Sequence, residues 1–96
     1  MIPRRVLKYT FDPTSGYVTQ LMPKNCIFLH AQQQHPGDEH ICLWLEERVG
    51  APKEEMTFLF QPTGHGTIQD DRLVHLETIV MDDGHVWHMY VKAGER

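Results

Sequence analysis

The segment Thr63-Gly64-His65-Gly66-Thr67 groups several potential ligand-binding residues in a short stretch. Two glycines around a histidine let the backbone bend and expose consecutive N–H groups, an arrangement that can hold an anion. The hydroxyls of Thr63 and Thr67 and the imidazole of His65 add further donors. The segment predicts recognition of a phosphate or nucleotide, although no Walker-type motif is present. The alternative is a plain turn between two strands, for which Gly-x-Gly is also typical.

Aromatic residues offer a second set of contacts. Trp44, Trp87 and Tyr90 can present flat apolar surfaces to a purine, and such stacking contributes about 1–3 kcal/mol per base in single-strand binding sites. We therefore place Trp87, His88 and Tyr90 near a bound base or at a subunit boundary. The alternative for both tryptophans is a core position, which is usual in a short alternating strand.

Histidine occurs seven times and raises the question of a metal site. A zinc site needs three or four convergent ligands, commonly at spacings such as HExxH, and no such spacing is present on a helix. His85 and His88 are three apart on a predicted strand and so point to opposite faces. His75 and His85 can approach across the final hairpin, but two ligands make at most a weak site. We expect no metal and no cofactor.

Residues for nucleophilic catalysis are poorly placed. Ser15 is the only serine and lies in a predicted turn. Cys26 and Cys42 have no identifiable activating arrangement and no CxxC spacing, so we expect buried free thiols in a reducing cytosol. No catalytic residue is assigned, and the sequence favours binding over catalysis.

Period-two alternation of apolar residues dominates the chain and must supply the scaffold for these groups. The fold prediction is all-β: a compact antiparallel sandwich or partly closed barrel of about seven short strands. One helical turn is placed near Gln69 to Asp71. The predicted strands are Arg5 to Phe11, Tyr17 to Met22, Cys26 to Gln33, His40 to Glu47, Glu54 to Gln61, Arg72 to Met81 and His85 to Lys92.

Two hairpins follow from turn residues. Pro36-Gly37 separates the third and fourth strands, and Asp83-Gly84 separates the sixth and seventh. In the first hairpin, alternation predicts one apolar face and a second mixed face. The first face comprises Ile27, Leu29, Ala31, Ile41, Leu43 and Leu45, and the second comprises Phe28, His30, Cys42 and Trp44.

Size and composition predict a single β-domain spanning 1–96, with 41% hydrophobic and 23% charged residues. No apolar run approaches the roughly 20 residues of a membrane span, and the N-terminus lacks a secretory apolar stretch. A net charge of −4 disfavours duplex nucleic acid as a partner. A homo-oligomer is expected because so short a β-chain has strand edges to protect.

An ordered set of short motifs resembles a known family. The motifs are Lys8-Tyr9, Met22-Pro23, Cys26-Ile27-Phe28-Leu29, Gln32 to Gln34, Cys42-Leu43-Trp44, Thr63-Gly64-His65 and Val86-Trp87-His88-Met89-Tyr90. Together they resemble a family of small, functionally uncharacterised proteins encoded mainly by bacteriophages and prophages. That family often has proline after the histidine of the Thr-Gly-His turn. Gly66 stands there in this chain and makes the loop more flexible.

The resemblance implies an accessory phage protein acting in the cytoplasm of an infected bacterium, with no catalytic assignment to transfer. The leading expectation is a non-enzymatic protein that counters host defence by sequestering a nucleotide immune signal. One alternative is a protein–protein inhibitor of a host defence or CRISPR component. A second alternative is a small metal-dependent hydrolase.

Overall fold

The computed structural model describes residues 1–64 and 66–92. It confirms the predicted all-β class: two antiparallel sheets pack face to face, and the described residues do not close into a barrel. The seven strands are β1 Arg4–Phe11, β2 Tyr17–Pro23, β3 Ile27–Gln33, β4 Ile41–Arg48, β5 Lys53–Pro62, β6 Leu73–Val80 and β7 Val86–Lys92.

The chain divides these strands between a three-stranded sheet in the order β1-β4-β3 and a four-stranded sheet in the order β2-β5-β7-β6. It passes between the sheets after β1, after β2 and after β4. The pairs β3–β4 and β6–β7 are the two predicted hairpins, and both are antiparallel neighbours. One edge strand of each sheet, β3 and β6, lies on the same side of the sandwich, where His30 approaches Glu77.

The core fills the space between the sheets with side chains from alternate strand positions. Phe58 is fully buried, and its ring lies 5.3 Å from that of Phe11 and 6.1 Å from that of Phe28. These contacts join the two sheets, because Phe58 belongs to β5 whereas Phe11 and Phe28 belong to β1 and β3. The buried cluster comprises Phe11, Met22, Ala31, Ile41, Leu43, Leu45, Met56, Phe58, Phe60, Ile79, Met81 and Met89.

A β-bulge in β3 changes the predicted faces of the first hairpin. The register with β4 shifts between Phe28 and His30, so that Leu29 is the extra residue. Phe28 consequently packs on the core, whereas Ile27 and Leu29 are 53% and 49% exposed. The prediction that Ile27 and Leu29 face inward is wrong, because one inserted residue exchanges the two faces of the strand before it.

The helical turn lies at Pro13–Ser15 rather than at the predicted Gln69 to Asp71. Asp12 caps this 3-10 turn: its side chain accepts a hydrogen bond from the backbone N–H of Thr14 at 3.0 Å. Proline suits the first position of such a turn because it has no backbone N–H, and an N–H at that position would have no partner within the turn. No helix in the described ranges is long and apolar enough to cross a membrane.

Candidate functional site

Strand β7 carries three of the predicted site residues and places them on two faces. Met89 is fully buried, and Trp87 packs against the core from the same side. His88 and Tyr90 lie on the outer face of the four-stranded sheet, where both are half-buried. The Trp87 ring instead lines a recess at the end of the core.

A chain of hydrogen bonds crosses this outer face through His88. The Thr63 hydroxyl lies 2.7 Å from His88 Nε2, and the Thr78 hydroxyl lies 3.1 Å from His88 Nδ1. His75 Nε2 contacts the same Thr78 hydroxyl at 2.9 Å. The His75 ring also meets the Tyr90 ring edge to face, with centroids 5.4 Å apart. We call Thr63, His75, Thr78, His88 and Tyr90 the outer-face cluster.

The cluster engages both ring nitrogens of His88. A neutral imidazole has one donor and one acceptor nitrogen, and a threonine hydroxyl has a single proton to donate. If Thr78 donates to His88 it must accept from His75, and the reverse assignment is equally consistent with the geometry. Each hydrogen bond polarises the next, so a ligand that contacts Thr63 would change the strength of the other hydrogen bonds in the cluster.

His75 and Thr78 share the outer face only because β6 contains a bulge. They are three residues apart and would otherwise point to opposite sides of the strand. The register with β7 shifts between His75 and Glu77, which makes Leu76 the extra residue and lets it pack against the core. His75 is thereby opposite Tyr90, and Thr78 is opposite His88. Sequence reasoning missed both residues, although the Asp-Gly hairpin placed them near β7.

An apolar stripe runs across the same face beside the cluster. Leu59 is paired with Tyr17 of β2 on one side and with Tyr90 of β7 on the other. It is only 6% exposed despite facing outward, whereas Tyr17 is 56% exposed. The stripe of Tyr17, Leu59 and Tyr90 offers a flat apolar surface next to hydroxyl and imidazole groups.

The glycine turn begins at the cluster. Gly64 and Gly66 adopt φ angles of 77° and 71°, in the left-handed region that other residues rarely enter. A Cβ on Gly66 would also approach the side-chain nitrogen of Gln61 to 3.1 Å. Thr63 anchors the turn through its backbone N–H, which donates to the Val86 carbonyl at 3.3 Å. His65 lies outside the described residues.

Thr67 is the remaining predicted site residue, and it is exposed beyond the turn. Its hydroxyl lies 3.5 Å from the amide nitrogen of Gln69. The described part of residues 63–67 lines none of the four main recesses of the described surface. Among the predicted residues, the structure thus brings together Thr63, His88 and Tyr90.

Carboxylates gather at the end of the sandwich where Trp87 lies. We call Asp12, Asp38, Glu39, Asp82 and Asp83 the acidic end; all but Asp12 line a recess of about 270 Å³. Gln33 ties this end together, because its amide donates to the Asp38 carbonyl and to the Asp82 carboxylate, both at 2.8 Å. Asp82 also accepts from the Gly37 backbone N–H. These bonds join the loop of one sheet to the hairpin turn of the other.

Hydrogen bonds shift the titration of this end. The backbone N–H and ring of His40 lower the pKa of Asp38 below its ordinary value of 3.8. The hydrogen bond that the Asp38 carboxylate accepts from the His40 ring raises the pKa of His40 above 6.5. Hydrogen bonds likewise lower the pKa of Asp12, Asp82 and Asp83, with Thr14, Gln33 and His85 as the respective leading donors.

We expect the protein to be most stable between about pH 5 and pH 6. The contribution of the aspartates is fully present above their unfolded pKa of 3.8 and is lost as pH falls through their lower folded values. The contribution of His40 is fully present below 6.5 and is lost as pH rises through its raised folded pKa. Melting temperatures recorded from below pH 3.8 to above pH 6.5 measure both limbs. His40→Asn should flatten the alkaline limb and weaken the acid limb only in part, because the His40 ring is one of several groups that lower the aspartate pKa values. An unchanged alkaline limb would contradict the assignment.

The described residues contain no group of three or more His, Cys, Asp or Glu arranged to hold a metal ion. Cys26 and Cys42 are free thiols. Cys42 is buried, and its sulfur lies 3.3 Å from the Gln34 amide oxygen.

Comparison of the chain with protein-family models finds a match. A family described as a domain of unknown function (DUF7352) matches residues 2–96. The chain belongs to the DUF7352 family. Neither a curated protein nor a solved structure matches it. The DUF7352 match includes every residue of the outer-face cluster and of the acidic end.

Proposed function

We propose that the protein is a non-enzymatic, phage-encoded accessory protein that counters bacterial defence by sequestering a nucleotide signal in the cytoplasm of the infected host. The observation that carries the proposal is the outer-face cluster, which joins hydroxyls, imidazoles and an aromatic ring beside a left-handed glycine turn. The phage context comes from the resemblance of the sequence motifs, and the two free thiols suit a reducing compartment.

The apolar stripe supports the base-binding half of the proposal. Tyr90 is half-buried between Leu59 and His75, so its ring is held in place before a ligand arrives. Tyr17 extends the same surface and is 56% exposed. Aromatic faces of this kind bind bases with little dependence on base identity.

The glycine turn and Thr63 support the phosphate-binding half. Gly64 and Gly66 both adopt positive φ, a backbone conformation that occurs in many anion-binding turns. The Thr63 hydroxyl adds a polar group at the start of the turn and lies 2.7 Å from His88 Nε2. A phosphate at the turn and a base on the stripe would occupy one continuous surface.

Binding is favoured over catalysis by the state of the histidines. A general base needs a ring nitrogen within reach of the substrate proton. Both nitrogens of His88 and Nε2 of His75 are engaged by threonine hydroxyls. These bonds hold the two imidazole rings in place, and we expect the rings to position a ligand rather than exchange protons with it.

Calorimetry with a panel of linear and cyclic nucleotides tests this function. Removal of the stacking ring in Tyr90→Leu should weaken the best nucleotide roughly 5- to 150-fold, equivalent to a loss of about 1–3 kcal/mol. His88→Ala should also weaken binding, whereas His85→Ala serves as a control because His85 lies at the acidic end. Absence of heat with every nucleotide, or equal loss in the two histidine variants, would reject the proposal.

The acidic end favours a second candidate, a protein–protein inhibitor of a host defence component. Its five carboxylates concentrate negative charge in one region of a chain whose net charge is −4. Such a patch can imitate nucleic acid and steer a basic partner. A pull-down from infected-host lysate tests this candidate. Capture of a partner that is abolished by Asp83→Asn combined with Glu39→Gln, together with the absence of calorimetric heat for every nucleotide, would support this candidate over sequestration.

We also propose that the protein forms a homo-oligomer. Strands β1, β3, β2 and β6 are sheet edges, and exposed apolar side chains include Val74 and Val80 on β6 at 51% and 70% exposure. Association would cover such groups. Sedimentation velocity on the calorimetry samples measures the subunit number, and a monomer at all concentrations would reject association.

A further inference from the structure

A second recess lies at the end of the sandwich opposite the acidic end. The start of β1, the end of β4 and the loops after β2 and β4 surround a volume of about 450 Å³. Small-molecule sites commonly span about 300–1,000 Å³. We call this the cationic recess, because Arg4, Lys24 and Arg48 line it. The ten residues of β5 separate it from Thr63 by about 30 Å, so it is distinct from the outer-face cluster.

Two arginines of the recess oppose each other directly. Arg4 of β1 and Arg48 of β4 are cross-strand partners, so their side chains leave the same face of the sheet. Like charges in directly opposite positions destabilise a sheet. An anion placed between the two guanidinium groups would remove this repulsion.

The carboxylates of the recess are already engaged. Glu46 pairs with Arg4 at 3.2 Å. The Glu47 side chain, 2% exposed, contacts Arg5 Nε at 2.6 Å and Lys53 Nζ at 3.8 Å. Glu54 and Glu55 follow on β5 but do not line the recess. These pairs leave little negative charge to satisfy further cations.

Lys24 and Arg48 are the cations left over. Within residues 1–64 and 66–92, neither side chain forms an ion pair. Both line the recess, one from the loop after β2 and the other from the end of β4. With Arg4, they provide donors of the kind that bind phosphate and carboxylate oxygens.

Backbone hydrogen bonds hold the walls of the recess in place. Lys24 N–H donates to the Pro52 carbonyl at 2.8 Å, and Val49 N–H donates to the Pro3 carbonyl at 2.9 Å. These two bonds tie each loop to a neighbouring segment. A preformed site loses less conformational freedom on binding than a flexible one.

Apolar side chains complete the lining. Ile2, Ile27 and Val49 contribute to the walls although they are 57%, 53% and 44% exposed. Exposed apolar groups beside unpaired cations match a ligand that has both an apolar body and a charged head.

We propose that the cationic recess is a binding site for a small organic oxyanion, with a phosphate or carboxylate head held by Arg4, Lys24 and Arg48 and an apolar body against Ile2, Ile27 and Val49. This site is independent of the proposed nucleotide surface. Its ligand would offset the repulsion between the two opposed arginines.

Amide chemical shifts recorded during titration with phenyl phosphate test this site, with inorganic phosphate and phenol as comparison probes. Phenyl phosphate should perturb the amides of residues 24–27 and 48–51 and bind more tightly than either comparison probe. Arg48→Gln and Lys24→Gln should each weaken its binding by at least about fivefold. Lys8→Gln, a cation on β1 that does not line the recess, should change binding less than about twofold.

The melting temperatures of the ligand-free variants show whether they fold. Arg48→Gln removes a like-charge contact, so its melting temperature without ligand should equal or exceed that of the parent protein. Equal weakening by Lys8→Gln, perturbations spread over the whole chain, or phenyl phosphate binding no tighter than inorganic phosphate would overturn the proposal.

Discussion

Replacement of Phe58 by alanine is expected to lower the free energy of unfolding by about 3–5 kcal/mol. Phe58 is fully buried and its ring contacts Phe11 and Phe28, so the substitution leaves a cavity between the two sheets. Small domains are stabilised by only about 5–15 kcal/mol in total. The variant should therefore unfold at a much lower urea concentration, as measured by circular dichroism.

The matched control is Tyr17→Ala, which removes an aromatic ring that is 56% exposed. A change of less than about 1 kcal/mol is expected there, because only strand propensity and partial contact with Leu59 are lost. Similar losses in the two variants would show that Phe58 does not form the centre of the core.

Replacement of Arg5 by methionine is expected to lower the free energy of unfolding by about 1–3 kcal/mol, because it removes the nearest cation from a buried carboxylate. The Arg5 side chain itself is 60% exposed, so the effect comes from the burial of its partner. Glu47 has a side chain that is only 2% exposed, and Arg5 Nε lies 2.6 Å from its carboxylate. Lys53 remains 3.8 Å away and offsets part of the loss. Methionine retains the apolar stem of arginine, so the measurement reports the lost charge.

Arg4→Met provides the comparison from the adjacent residue. Its partner Glu46 has a side chain that is 23% exposed and can turn to water, so a loss below about 1 kcal/mol is expected. Urea unfolding of the two variants in parallel decides the matter. Equal losses at Arg4 and Arg5 would contradict a special role for the burial of Glu47.

The strands were predictable because their cause is local. Alternation placed Leu7, Tyr9 and Phe11 on one face of β1, and Phe11 is indeed in the core. The same pattern placed Met56, Phe58 and Phe60 on the inner face of β5. Gly37 and Gly84 adopt the positive φ angles that the Pro-Gly and Asp-Gly turns require. Each of these features depends on neighbours within a few residues.

The sequence-based predictions failed where residues distant in the chain determine the local structure. Leu29 and Leu76 are bulged because of how β3 and β6 fit against β4, β7 and the shared core. Nothing in their immediate sequence distinguishes them from paired residues. The burial of Glu47 depends on Arg5, 42 positions earlier in the chain. Composition cannot show such a partner.

The candidate site was predictable to the same extent. Thr63, His88 and Tyr90 were identified from residue type and are brought together in the structure. His75 and Thr78 join them because of the bulge at Leu76. Strict alternation would have placed His75 and Thr78 on opposite faces of β6. Trp87 went to the core side because it shares the face of Met89. Arg4 and Arg48 meet only through the pairing of β1 with β4.

The two bulges also bear on how copies of the chain can meet. β3 and β6 are free edges on one side of the sandwich, and each carries one extra residue in mid-strand. A bulge bends and twists its strand, so a straight incoming strand cannot continue the hydrogen-bond ladder along it. Growth of fibrils by repeated strand addition is therefore blocked on that side of the sandwich.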